Sequence, residues 1–178
     1  MILPIVTYGH PILKQKAETV KEGGGRPEKL VNDMLETMYA AGGAGLAAPQ
    51  VNQSLRLFVT GPLGDDDPDG HVFVNPEIIQ FSGLFQGMPE ACLSIPGLQL
   101  SLLRQEHIRI RYQTLDFSWE EKSYSGRAAR ILQHEYDHLE GILITDRIIP
   151  ERKRSIKSFL HKLAQGKAKV EVPYPTIQ

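Results

Sequence analysis

The chain has 178 residues, 41% of them hydrophobic and 23% charged, and its 20 basic against 21 acidic residues leave a formal net charge of −1. That length lets one domain bury about 70% of its unfolded surface without covalent staples, and the balanced charge supplies no overall field for DNA or for a membrane surface. The lone cysteine, Cys92, excludes an internal disulfide and fits a reducing compartment.

No apolar run reaches the length of a membrane span, and the opening Met1-Ile2-Leu3-Pro4-Ile5 lacks the charged leader and long apolar core of a signal peptide, so a cytoplasmic location is expected. Residues 27–40 read as an amphipathic helix: Pro27 suits a first turn, and Leu30, Val31, Met34, Leu35 and Met38 recur at helical spacing. Its methionines are explained by packing. Gly42-Gly43-Ala44-Gly45 then ends the helix. Alternation at Leu55, Leu57 and Val59, at Val72 and Val74, and at Ile108, Ile110 and Tyr112 predicts half-buried strands paired antiparallel. The acidic stretch 61–70 reads as a solvated, turn-rich connection, because it lacks the spaced ligands and terminal glutamate of a calcium loop.

Residues 117–124 read as another short strand, leading into a helix of about four turns that starts near Ser125-Gly126 and stops at Gly141. A further helix is expected over 151–164, with Ile156, Phe159, Leu160 and Leu163 on the apolar side and Arg152, Lys153, Arg154, Lys157 and Lys162 on the wet side. Residues 170–172 read as a terminal strand before Pro173. These elements predict an α+β fold, antiparallel strands packed around a central motif-bearing helix, in a single domain over 1–178 with 150–178 as its variable end.

The chemistry is concentrated in His134-Glu135-Tyr136-Asp137-His138. Histidines at i and i+4 face the same way and can grip one divalent ion, with the glutamate beside them to take a proton from water. At about 100° per residue, Ile131, His134 and His138 form one stripe, and Ala128, Leu132, Glu135 and Leu139 form the next. Glu135 therefore sits on an apolar face, where an unpartnered carboxylate is costly. Histidines that merely hydrogen-bond within a core are the bland alternative. A hydrolytic site needs a third ligand and an open position; Cys92 is the candidate, its competing role being that of a small buried hydrophobe.

Three segments, Gly43-Ala44-Gly45-Leu46-Ala47-Ala48-Pro49-Gln50, Glu90-Ala91-Cys92-Leu93-Ser94 and Gln133-His134-Glu135-Tyr136-Asp137-His138-Leu139, resemble the signature motifs of the peptide deformylases, in that family's order. The likeness extends from Gly9-His10-Pro11-Ile12-Leu13 to Leu139-Glu140-Gly141-Ile142-Leu143. It implies that Cys92, His134 and His138 hold the metal, that Glu135 is the general base, and that the Gln50 amide and the Leu93 backbone N–H steady the oxyanion formed when water attacks a formyl carbon. The substrate it implies is the formylmethionyl end of a nascent peptide, and the ion is ferrous iron, with zinc, nickel or cobalt as substitutes. H-E-x-x-H alone also serves metallopeptidases, which remain the alternative.

Gly43 and Gly45 would let an extended substrate approach the backbone, although for Gly43 ending the preceding helix is an equal role. Glu90 and Arg104 match positions that pair in the family, which implies that they support the ligands, with a plain surface charge as the alternative for each. Three departures stand out: Ala91 where glycine is usual, Gln99 where many members carry an arginine near the substrate, and Arg127 where an apolar residue is common. The basic stretch 152–169 reads as a solvated face, with docking on the ribosome near emerging chains as the alternative.

Overall fold

The computed structural model describes residues 1–23, 27–64, 67 and 69–178, so Asp65, Asp66 and Pro68 of the acidic stretch lie outside the described residues. One sheet of five strands carries the site: β2 (Gly45–Ala47), β3 (Leu57–Thr60), β4 (His71–Ala91), β5 (Gln99–Gln113) and β6 (Trp119–Ser125), neighbours in that order and all antiparallel. The helices are α1 (Glu28–Ala40), α2 (Gly126–Leu139) and α3 (Pro150–Ala164). The α+β reading holds. No helix of the described residues is long and apolar enough to cross a membrane.

β3 is not half-buried as its alternation predicts; all four of its residues are buried. Leu57 and Val59 pack with Met34 and Met38 of α1, while Phe58 packs on the other face with Ala129 and Leu132 of α2. A strand covered on both faces shows no polar side. The buried methionines of α1 are core residues, as expected.

β4 is far longer than its two valines suggest, because Pro76, Gly83, Gly87 and Pro89 read as breakers. β3 pairs only with residues 71–74, so most of β4 lacks a neighbour on that side and proline is tolerated there. Register shifts against β5 absorb the irregular residues. The predicted strand 117–124 begins only at Trp119, since Phe117 takes a left-handed φ of 63° in the preceding turn. Residues 170–172 form no strand. Instead β7 (Thr176–Ile177), beyond Pro173 and Pro175, pairs parallel with β1 (Ile5–Val6), an exception to the antiparallel pattern.

β6 passes into α2 without a connecting loop: Ser125 is still extended, and Gly126 turns the chain at φ 54°. Both α1 and α2 end in the same device. A left-handed glycine follows the cap residue, and the next N–H reaches back five residues, Gly43 to the Met38 carbonyl at 2.9 Å and Ile142 to the Asp137 carbonyl at 2.9 Å. Their surroundings differ. A Cβ on Gly42 would meet nothing within 4 Å, whereas one on Gly141 would lie 2.7 Å from the backbone of Lys14.

Gly42→Ala is therefore expected to cost about 1–2 kcal/mol, the left-handed strain alone. Gly141→Ala should cost about 1–3 kcal/mol more, through the backbone clash. Urea unfolding of both variants measures the difference, and equal losses would contradict the close approach at Gly141.

Candidate metal centre

Cys92 is delivered by the end of β4, and the two histidines by α2. The cysteine Sγ, an imidazole nitrogen of His134 and one of His138 all lie within 4.8 Å of one another. Sγ is 3.4 Å from His138 Nε2, close to the edge of about 3.5 Å that bonds of ~2.3 Å to sulfur and ~2.0–2.1 Å to nitrogen make around a tetrahedral ion. The donor set of one thiolate and two imidazoles suits zinc, iron, nickel or cobalt.

Of the two histidines, only His134 has an Nδ1 hydrogen bond that orients its ring among the described residues; the Nδ1 of His138 is buried without one. His134 Nδ1–H donates to Glu90 Oε2 at 3.0 Å, which leaves Nε2 for the centre. Glu90 is held in turn by Arg104, whose Nε and Nη2 donate to its two oxygens at 2.6 and 2.9 Å, and by Arg130 Nη1 at 2.7 Å. Arg104 also donates to Asp137 Oδ2 at 2.9 Å, and Arg147 pairs with both Asp137 oxygens. Burial alone would raise the Glu90 pKa; hydrogen bonds from His134 and Arg104 overcome that and hold it well below the usual carboxylate range.

Glu135 lies on the neighbouring stripe of α2, is 4% exposed, and its Oε2 has no hydrogen-bond partner among the described residues. Burial pushes its pKa up to about 7, against the pull of His134 and Arg104. A buried carboxylate oxygen without a donor, beside a three-ligand cluster, fits a centre that holds a cation and a water. Gly45 makes room for it: a Cβ there would lie 2.7 Å from Glu135 Cγ and Cδ. Gly43 is explained by packing rather than by ending α1, which Gly42 does; its Cβ would meet Leu93 Cδ1 at 2.9 Å.

Gln50 is buried. Its Oε1 accepts from the Ala47 N–H at 2.9 Å, so its amide nitrogen faces Ser94 Oγ at 3.2 Å and Cys92 Sγ at 3.7 Å. Leu93 N–H makes no backbone hydrogen bond among the described residues. A pocket of about 590 Å³ opens onto this group, lined by Gly43, Gly45, Gln50, Cys92, His134 and Glu135 among others. Ala91, an exposed strand residue without positive φ, carries its Cβ without strain. Gln99 is exposed opposite Ala91, away from the pocket lining, and Arg127 is both exposed and on the rim.

Sequence reasoning passed over Asp137, Arg130 and Arg147, and the tail residues that line the pocket. One signal was present: Arg104 occupies the buried register of β5 after Leu100 and Leu102, and a 3% exposed guanidinium demands buried partners.

The family model described as polypeptide deformylase matches residues 2–154. A peptide deformylase of Christiangramia forsetii is 44% identical over 96% of this chain and 94% of its own. Among solved structures, the peptide deformylase of Thermotoga maritima is 37% identical with a TM-score of 0.78, covering 84% of this chain and 99% of its own. That of Acinetobacter baumannii bound to Met-Ala-Ser is also 37% identical, with a TM-score of 0.76, covering 83% of this chain and 99% of its own.

Glu90→Gln is expected to weaken metal binding about 10–100-fold, by loosening His134. Chelator competition reads this directly, and unchanged affinity would deny Glu90 its orienting role.

Proposed function

The chain belongs to the polypeptide deformylase family, and from that premise we propose how its residues share the work. The enzyme is a metal-dependent hydrolase that removes the N-formyl group from nascent peptides. Cys92, His134 and His138 are the proposed ligands; the convergence of their donor atoms beside the unpaired Glu135 carboxylate is the observation that carries the reading. A divalent cation bound there supplies Lewis acidity, allowing a water to ionise near neutral pH.

Glu135 accepts the water proton and passes it to the departing amine, a double role that its freedom from other hydrogen bonds supports. The Gln50 amide nitrogen and the Leu93 N–H steady the oxyanion that develops on the formyl group, and one such donor is worth about 3 kcal/mol of barrier. Support comes from the Gln50 nitrogen being turned toward the ligand sulfur and from the uncommitted Leu93 N–H. Gly43 and Gly45 border the substrate at the edge of the sheet, where β2 has β3 on one side only and a peptide can add by main-chain hydrogen bonds.

Ferrous iron is the proposed native ion, with the enzyme one catalytic unit over residues 1–178, working in the cytoplasm. Formylmethionyl nascent chains are its substrates; docking of the basic α3 on the ribosome near the chain exit is the further step of the same proposal. Elemental analysis of anaerobically prepared protein tests the ion, and loss of activity in air, through oxidation of the metal or Cys92, is the expected companion result.

The metallopeptidase alternative is not favoured. Formyl-Met-Ala-Ser and its acetylated counterpart separate the two: formate release, no internal cleavage and an untouched acetyl peptide are expected, and cleavage of an internal bond would overturn the assignment. Glu135→Gln should lower kcat by about 10²–10⁴-fold with bound metal retained. Loss of the metal together with activity would make Glu135 structural instead.

A further inference from the structure

The family model ends at residue 154, yet the pocket wall includes Val170, Glu171, Val172, Pro173 and Tyr174. These residues follow α3 and are fixed at both ends. Val170 rests on Gly97, where a Cβ would lie 3.0 Å from Val170 Cγ2. Beyond them β7 pairs with β1, with the Ile5 N–H donating to the Pro175 carbonyl and the Thr7 N–H to the Ile177 carbonyl, each at 2.8 Å. Between these anchors the buried Tyr174 donates its hydroxyl to the Leu93 carbonyl at 3.0 Å. The tail is thus tied to the short turn that carries Cys92 and Leu93.

The segment between the anchors has backbone capacity to spare. Among the described residues, the N–H groups of Glu171 and Val172 and the carbonyls of residues 170–172 enter no backbone hydrogen bond. Val170 and Val172 are half-buried, so the segment offers apolar side chains and open main-chain donors and acceptors on one side of the pocket. An extended peptide needs that combination on the walls of its groove.

We propose that residues 170–174 form a strap completing the substrate groove, and that the strap selects for the peptide residues that follow the formylated methionine. Tyr174 is its positioning residue, holding the strap against Leu93. The inference rests on the deformylase reading of the same pocket. A substrate lacking residues beyond methionine gains little from the strap, whereas a tripeptide lies along it.

The test compares kcat/KM for formyl-Met-Ala-Ser with that for formyl-methionine in the whole protein, in Tyr174→Phe and in Val172→Ser. Melting temperature and metal content are followed alongside, and Tyr174→Phe, which deletes one hydroxyl, keeps the test open if Val172→Ser folds poorly. The ratio of the two specificity constants should fall by about threefold or more in the variants, chiefly through a higher KM for the tripeptide. A ratio that stays within that margin, including equal losses on both substrates, would overturn the strap. Absence of formate from both substrates with the unaltered protein would instead overturn the deformylase reading beneath it.

Discussion

Arg104 joins the sheet to the helix at the one place where their relative position decides the chemistry. From β5 it grips Glu90 of β4 with two hydrogen bonds and Asp137 of α2 with a third. Glu90 in turn fixes His134, and two residues further on the chain supplies Cys92. The thiolate and the imidazoles come from different elements, so they converge only while α2 keeps its roll and its height above the sheet. Breaking a buried ion pair by deleting one partner typically costs ~3–5 kcal/mol, because the remaining charge stays buried. This cluster therefore couples the stability of the fold to the geometry of the centre.

A second constraint is negative space. Glu135 occupies the volume that a side chain at residue 45 would claim, and Leu93 occupies the volume that one at residue 43 would claim. Both glycines serve the close approach of β2 and its preceding turn to the site. Both glycines also line the pocket, so the same absence of side chains that accommodates Glu135 and Leu93 leaves this wall of the pocket bare.

Much of this was legible in the sequence, and the reasons for success and failure are physical. Short-range rules recovered α1, α2 and α3 within a residue or two, because helical periodicity and glycine stops are local. Cys92, His134, His138, Glu135 and Gln50 were named from motifs; the structure brings the first three within 4.8 Å of one another and lines one pocket with Gln50, Cys92, His134 and Glu135. What the sequence hid depends on distant partners. β4 hid behind its prolines and glycines, harmless only because β3 stops early. The terminal strand reads at 170–172 in the sequence but lies at 176–177, because its partner, β1, lies at the other end of the chain and contributes two residues. Arg147 and Asp137 gave no periodic signal, since their pairing is set by where α2 ends. Tyr174 likewise acquires meaning only from the Leu93 carbonyl that it reaches.

Centre, ion cluster and tail thus meet at one segment, 90–94, where Glu90 accepts from His134, Cys92 is the proposed ligand and Leu93 the proposed oxyanion donor, the Leu93 carbonyl receives Tyr174, and Ser94 accepts from Gln50. The most direct test of this convergence is X-ray absorption at the metal edge of the loaded protein. One sulfur scatterer at ~2.3 Å together with two imidazole nitrogens at ~2.0–2.1 Å is the expected result, the sulfur disappearing in Cys92→Ala. A first shell of nitrogen and oxygen alone in the unaltered protein would contradict it.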